Sequence, residues 1–325
     1  MNIPMLTVLM GVYNGEIYLT EAMDSILQQT FSDFEFLIIN DGSTDRTSEI
    51  LYSYQDSRIR IISNEKNIGL TKSLNIGLRE SRGQLVARQD ADDVSKSERL
   101  GTQVKILHDS PQVVLASSWC ELADGEGRLF GCIQPRTTRS DLLKRFSQAD
   151  SPFPHGSVMY RKKSVLDIGG YDERFWYAQD FDLWLRLLNN SEAEVAVVPE
   201  VLYRIRKTIP TKEFKGICQR RYAEVSWEQH CLGDRIDFPD VREWISERFP
   251  LATKDSRRSV DEHWLFLSLT ALQNDLKSIA RLYARRALRS DNFQVRYRAM
   301  WRIMLSILPH RFARILQEKF WLLKQ

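Results

Sequence analysis

The sequence predicts an α/β fold, a mostly parallel sheet flanked by helices, followed by a helical C-terminal region. Three observations carry that reading. Short apolar runs alternate with stretches of helical periodicity from residue 5 to residue 90. Each of these runs ends in polar or acidic residues, and strand signals stop after residue 206. Alternation of this kind builds βαβ units, whose right-handed crossovers leave neighbouring strands parallel.

The elements follow in order. "MLTVLMGVYN" (5–14) is a continuous apolar run closed by Asn14-Gly15, the pattern of a strand covered on both faces. "EIYLTEAMDSILQQT" (16–30) sets Ile17, Met23, Ile26 and Leu27 at helical spacing. "FEFLIIN" (34–40) is the second strand, and Ser43 or Thr44 in "DGSTD" is expected to cap the helix "DRTSEILYSY" (45–54). "IRIIS" (59–63) gives a third strand. "GLTKSLNIGLRES" (69–81) gives a helix that Gly83 is expected to close, and "QLVARQD" (84–90) the fourth strand. After the apolar stretch 193–206, residues 213–232, 240–249, 262–289 and the closing segment read as helices. The expected division is therefore an α/β domain over 1–210 and a helical region over 211–325.

Composition sets the class. With 43% hydrophobic and 27% charged residues in 325, the chain reads as an ordinary globular protein. The net charge of +3 conceals an asymmetry: from Arg257 onward there are 14 Lys/Arg against 5 Asp/Glu. Cys120, Cys132, Cys218 and Cys231 show no metal-ligand spacing, so reduced thiols in a cytoplasmic setting are expected. The N-terminus lacks a basic n-region and a cleavage site, and no run of about 18 apolar residues exists to span a membrane. No nucleic-acid module signature accompanies the basic tail.

Strand ends sort the motifs. Asn14, Asp41 and the "DADD" of Asp90 to Asp93 each follow an apolar run, so a parallel sheet would bring them to one edge, where such sheets bind ligands. Taken singly, "NDGSTD" is a turn with a helix cap and "DADD" a capped turn. A calcium loop would continue with oxygen ligands at alternate positions and a Gly, whereas Val94, Ser95 and Lys96 follow. Three carboxylates within four positions need a positive partner. Asp-x-Asp can hold Mg²⁺ or Mn²⁺ and leave positions for phosphate oxygens, so the expected partner is a divalent ion brought with a nucleotide.

The ordered set "TVLMGVYNGEIYLTEAMDSILQQTFSDFEFLIINDGSTDRT", "NIGLTKSLNIGLRESRGQLVARQDADD" and "PHGSVMYRKKSVLDIGGYDERFWYAQDFDLWLRL" resembles the family 2 glycosyltransferases, inverting enzymes of the GT-A fold. The resemblance covers most of residues 5–205 and is of the bacterial cell-surface polysaccharide type. It implies an enzyme of polysaccharide or lipopolysaccharide assembly in the cell envelope. Such an enzyme moves a sugar from a nucleotide-diphosphate donor, here a UDP-sugar, to a hydroxyl of a glycan or lipid-linked acceptor. Mn²⁺ or Mg²⁺ is the implied cofactor. Carried over by position, Gly11 to Tyr13 line the nucleobase pocket, Asp41 contacts the base, and Lys72 approaches the nucleotide. Asp90 and Asp92 match the Asp-x-Asp pair, with Asp92 the metal ligand and Asp93 a further candidate.

"YAQDFDLWLRL" carries the second chemical site. By resemblance Asp180 is the catalytic base, and Gln179 stands where the family usually has Glu. An inverting transfer needs one base, which takes the acceptor hydroxyl proton as oxygen attacks the anomeric carbon opposite the diphosphate. Trp176 and Tyr177 sit beside it on an acceptor loop, where aromatic faces pack on sugars. His155 has no paired His or Cys, so it lines the acceptor site or serves the structure. Lys207 replaces the His that the family often offers to the metal. The departures at Gln179 and Lys207 keep open a nucleotide- or glycan-binding protein that has lost catalysis. The segment from Pro309 places Phe312, Ile315, Leu316, Phe320 and Leu323 on one face. It reads either as a helix packed on its own domain or as a peripheral membrane contact at the inner face of the cell membrane.

Overall fold

The computed structural model describes residues 3–189, 192–207, 213–232, 256–289 and 293–307. Its centre is a mixed sheet. Strands β1 (Leu6–Val12), β2 (Phe34–Asn40), β3 (Ile59–Ser63) and β4 (Leu85–Asp90) alternate with helices α1 (Leu19–Leu27), α2 (Thr47–Ser53) and α3 (Leu70–Glu80). β1 pairs in parallel with β2 and β4, and β2 with β3. Beyond them the chain forms β5 (Val94–Ser95), α4 (Arg99–Asp109), β6 (Val113–Asp124), β7 (Leu129–Ile133), α5 (Arg139–Ser147), β8 (Met159–Arg161), α6 (Lys162–Asp167), α7 (Gln179–Leu187) and β9 (Glu194–Lys207). The strand order is β3-β2-β1-β4-β8-β6-β9-β5, with β7 on β6, and β8 joins β4 antiparallel.

Both faces of the parallel strands are covered, which is why they read as unbroken apolar runs. Val8, Met10 and Ile38 pack with Met23, Ile26 and Leu100 on one face. Leu9, Leu37 and Ile39 pack with Leu74, Leu78 and Trp184 on the other. Alternate side chains of each strand therefore enter different cores.

Local expectations needed correction at three places. Helix α2 begins at Thr47 behind Arg46, with no cap from Ser43 or Thr44. Those two hold Asn14 instead: the Asn14 N–H donates to Ser43 Oγ at 3.0 Å, and the Thr44 N–H donates to Asn14 Oδ1 at 2.8 Å. Gly83 does not close α3, which ends at Glu80 with Ser81 as its cap. A Cβ at Gly83 would lie 2.4 Å from the Thr7 nitrogen, so glycine is required there by close approach to β1. The stretch 262–289 is two helices, Ser256–Gln273 and Lys277–Ala287, broken at Asp275 with φ 56°.

By contact the chain forms two compact units, divided otherwise than by one cut at residue 210. Among the described residues, the first unit holds 3–121, 133–189, 192–206 and 216–232. The second holds 122–132, 207, 213–215, 256–289 and 293–307. The β6–β7 hairpin tip belongs with the helices because Asp124 accepts from Tyr283 Oη at 2.9 Å and the Cys132 N–H donates to Asn274 Oδ1 at 3.1 Å. Among the described residues no helix is long and apolar enough to cross a membrane. The segments 240–249 and 309–325 lie outside the described residues.

Candidate active site

Register alone brings the motifs to one rim. Gly11 lies level with Ile39 of β2 and with Asp90 of β4, and Val12 with Asn40. The Asp41 N–H donates to the Val12 carbonyl at 2.8 Å, and exposed Tyr13 follows directly. Asp41 is buried and works mostly inward. Its Oδ1 accepts from Asn64 Nδ2 at 2.8 Å and the Ile68 N–H at 3.0 Å, and its Oδ2 from the Gly69 N–H at 2.9 Å. Those three bonds take three of the about four acceptor positions on a carboxylate. Those bonds shape the turn that opens α3. Gly69 has φ 94°, and a Cβ there would lie 2.6 Å from the Trp176 ring. Trp176 thus lies against the turn that Asp41 holds. Lys72 is exposed in the first turn of α3.

The acidic motif has a partner the sequence reading passed over. The expected partner was a divalent ion; Asp90 already has Arg88, two residues earlier on β4 and fully buried. Arg88 Nη2 donates to Asp90 Oδ1 at 2.5 Å, and its Nη1 donates to the Leu9 carbonyl at 2.9 Å. Asp93 is also tied to the chain: it is buried, and its Oδ1 accepts from the Arg206 N–H of β9 at 2.8 Å. Arg206 Nε donates to the Asp92 carbonyl at 3.1 Å, its guanidinium lies 4.4 Å from the Tyr18 ring centroid, and its Nη2 meets Glu21. Arg206 therefore clamps the turn that presents Asp92. Among the described residues no group of three or more His, Cys, Asp or Glu could hold a metal by itself. The donor set fits an ion that arrives with a diphosphate, since Mg²⁺-like ions take one or two carboxylates and complete their shell with phosphate oxygens and water.

Asp180 stands in the first turn of α7. Ala178 precedes the helix with φ 53°, a left-handed conformation that side chains other than glycine rarely adopt. The loop before it hangs from α3: Thr71 Oγ1 donates to the Phe175 carbonyl at 2.6 Å, and Asn75 Nδ2 to the Tyr171 carbonyl at 2.8 Å. Ser151 Oγ lies 3.4 Å from Asp180 Oδ2 as a donor. Burial pushes the Asp180 carboxyl from 3.8 up to about 6; the charge of Asp90 adds to the rise, and the N–H groups of Phe181 and Asp180 oppose it. A carboxylate poised there suits a general base near neutral pH. Asp182 serves the fold instead, pairing with Arg186 at 2.6 Å and accepting from Ser226 Oγ at 3.3 Å.

His155 sits in the wall behind these carboxylates. Its Nε2 is 2.8 Å from Tyr171 Oη, and its ring meets Tyr171 and Trp184 edge-on. Burial drives the imidazole down to about 3, the Arg88 charge acts in the same direction, and Asp90 opposes. It is neutral at physiological pH. Arg88, Ser151, Arg206 and Tyr203, whose hydroxyl accepts from the Asp90 N–H at 3.2 Å, were absent from the sequence-derived set. A basic residue inside the apolar strand "LVARQD" was the available signal for the first.

The carboxylates at the strand ends, and Asp180 near enough to feel the charge of Asp90, invite comparison with known proteins. The profile described as Glycosyl transferase family 2 matches residues 7–169. The chain belongs to that family. This glycosyltransferase is 30% identical over 231 residues to the UDP-Gal:alpha-D-GlcNAc-diphosphoundecaprenol beta-1,3-galactosyltransferase of Escherichia coli, covering 70% of this chain and 83% of that one. Its fold is the GT-A fold. S. aureus TarS 1–349 in complex with UDP superposes with a TM-score of 0.55 at 17% identity, over 93% of this chain and 89% of that one. The mannosyltransferase PcManGT of Pyrobaculum calidifontis, in complex with GDP-Man and Mn²⁺, gives a TM-score of 0.52 at 17% identity, over 93% and 84%.

Proposed function

We propose that this glycosyltransferase catalyses an inverting transfer from a nucleoside-diphosphate sugar, a UDP-sugar, to a hydroxyl of a glycan or lipid-linked acceptor. The observation that carries the reading is the placement of Asp180 in the first turn of α7, its Oδ2 3.4 Å from Ser151 Oγ and recessed so that burial raises its carboxyl to about 6. In this reading Tyr13 and Asp41 hold the base, Asp90 and Lys72 meet the rest of the nucleotide, and Trp176 guides the acceptor. His155 lines that wall beside Tyr171 and Trp184. Asp180 takes the acceptor proton. Asp92 holds Mn²⁺ or Mg²⁺, with Asp93 bracing the turn. When bound, the ion supplies neutralisation of the leaving diphosphate charge. Gln179 is buried at the start of α7, so its replacing an acid leaves Asp180 in place. The Escherichia coli relative, by its name, acts on a diphosphoundecaprenol-linked sugar, which supports a lipid-linked acceptor. Incubating the protein with single nucleotide sugars and Mn²⁺ is expected to release nucleoside diphosphate from one of them. Failure to consume any donor, with or without acceptors, would favour a binding protein.

A lipid-linked acceptor calls for a surface that meets lipid. The helix Phe293–Ile307 exposes Tyr297, Met300, Met304 and Ile307 at spacings of one helical turn, with Arg296 and Arg298 exposed beside them. An apolar stripe flanked by cations suits an anionic bilayer surface, at roughly 1 kcal/mol per basic residue. The protein is expected to float with anionic liposomes at low salt and to be released as salt screens the charges. No flotation at low salt would remove the membrane contact and leave the rest of the reading intact.

A further inference from the structure

We propose that Arg88 is a positioning residue of the donor site, a permanent cation beneath the rim that fixes the Asp90 carboxylate for the nucleotide. The inference rests on the reading above that Asp90 meets the donor. A fully buried arginine is costly to desolvate, and an apolar side chain of similar size would serve packing better. The chain contains a structural arginine for comparison. Arg99 is equally buried, and every nitrogen has a neutral partner: Nε donates to Gln103 at 3.2 Å, Nη1 to Ser95 at 2.7 Å and Nη2 to the Arg88 carbonyl at 2.7 Å. That set ties α4 to β4 and touches no carboxylate.

Arg88 is arranged otherwise. Two carbonyls, of Leu9 and Gln89, aim one arm of its fork, and the other arm is thereby directed at Asp90. Its Nε is buried without a hydrogen-bond partner among the described residues, a cost that packing alone does not explain. The far side of the carboxylate is closed as well. A Cβ at Gly156 would lie 2.9 Å from Asp90 Oδ2 and 2.0 Å from Tyr203 Oη, so the backbone approaches there as only glycine permits. With Arg88 on one oxygen and Gly156 against the other, Asp90 is held in one orientation before any nucleotide arrives. Orientation fixed in advance need not be supplied by the ligand's binding energy.

The test is a double-mutant cycle on nucleotide binding, read by calorimetry with UDP and Mn²⁺, and with GDP as a second probe. Arg88→Met and Asp90→Asn are each expected to weaken binding about tenfold or more, and the double variant to bind no more weakly than the worse single. In transfer assays Arg88→Met is expected to raise the donor KM more than it lowers kcat. The Asp90→Asn protein strands a buried cation, so it is expected to melt below the double variant. If Arg88→Met does not fold, Arg88→Lys replaces it in the cycle, since lysine keeps the charge but lacks the planar fork. Multiplying single effects, or an Arg88 variant that binds as wild type does, would overturn the inference and assign Arg88 to packing. A wild-type protein that binds neither nucleotide would overturn the functional reading itself, and is told apart by that first measurement.

Discussion

Asp180→Asn is expected to bind donor nucleotide as the wild type does and to transfer sugar about 10²–10⁴-fold more slowly. The amide keeps the shape of the carboxylate and can still meet Ser151, but it cannot take a proton from the acceptor. Wild-type transfer should fall on the acid side as pH drops through about 6, because the carboxyl is then protonated. The same shift has a consequence for stability. The folded carboxyl holds its proton more tightly than at its ordinary 3.8, so ionisation costs the folded state stability that the unfolded chain does not lose. That cost sets in as pH rises above the ordinary value and is complete above about 6. Asp180→Asn should therefore melt above the wild type at neutral pH, and the difference should vanish as pH falls below about 4. Transfer at the wild-type rate by the variant would move the base elsewhere, and Asp182 is a poor substitute because Arg186 and Ser226 already occupy it.

The parallel half of the sheet was legible because burial on both faces writes itself as apolar runs. "FEFLIIN" and "IRIIS" coincide with β2 and β3, and "MLTVLMGVYN" overruns β1 by one residue at its start and two at its end. From that, the row of Gly11, Ile39 and Asp90 follows by register. What stayed hidden depends on partners far along the chain. Ser43 and Thr44 look like helix caps by local rule, yet Asn14, about 30 residues away, takes both. Gly83 resembles a helix stop, and only the nearness of Thr7 gives its real reason. The strands β6 and β7 were not anticipated. "VVLASSWCELAD" mixes small, polar and apolar residues, and its hairpin is completed by helices more than 130 residues later. At the site, carboxylates were found by type and spacing, while Arg88 was missed because its meaning lies in a side-chain contact across one strand turn.

Chelating divalent ions is expected to weaken UDP binding to the wild type by about tenfold or more, which corresponds to ~1.4 kcal/mol, and Mn²⁺ to restore it. The diphosphate approaches a rim bearing Asp90 and Asp92, and like charges repel unless something positive lies between them. Arg88 answers for one oxygen of Asp90 from below, and the Arg206 N–H for Asp93 from behind. Neither faces the phosphates as a divalent ion would. Asp92 should therefore carry most of the metal dependence. In Asp92→Ala, UDP binding with Mn²⁺ should fall to the level the wild type shows in chelator, and added metal should no longer change it. The fold should survive, since the bond from Arg206 Nε to this residue is accepted by its backbone carbonyl, which the variant keeps. Asp93→Ala should behave in the opposite way. It removes an acceptor from a buried N–H of β9, at a cost of about 1–3 kcal/mol in stability, while the metal response of the folded fraction remains. Equal UDP affinity in chelator and in Mn²⁺ would sink the metal assignment, and an unchanged metal response in Asp92→Ala would move the ligand to Asp90 or Asp93.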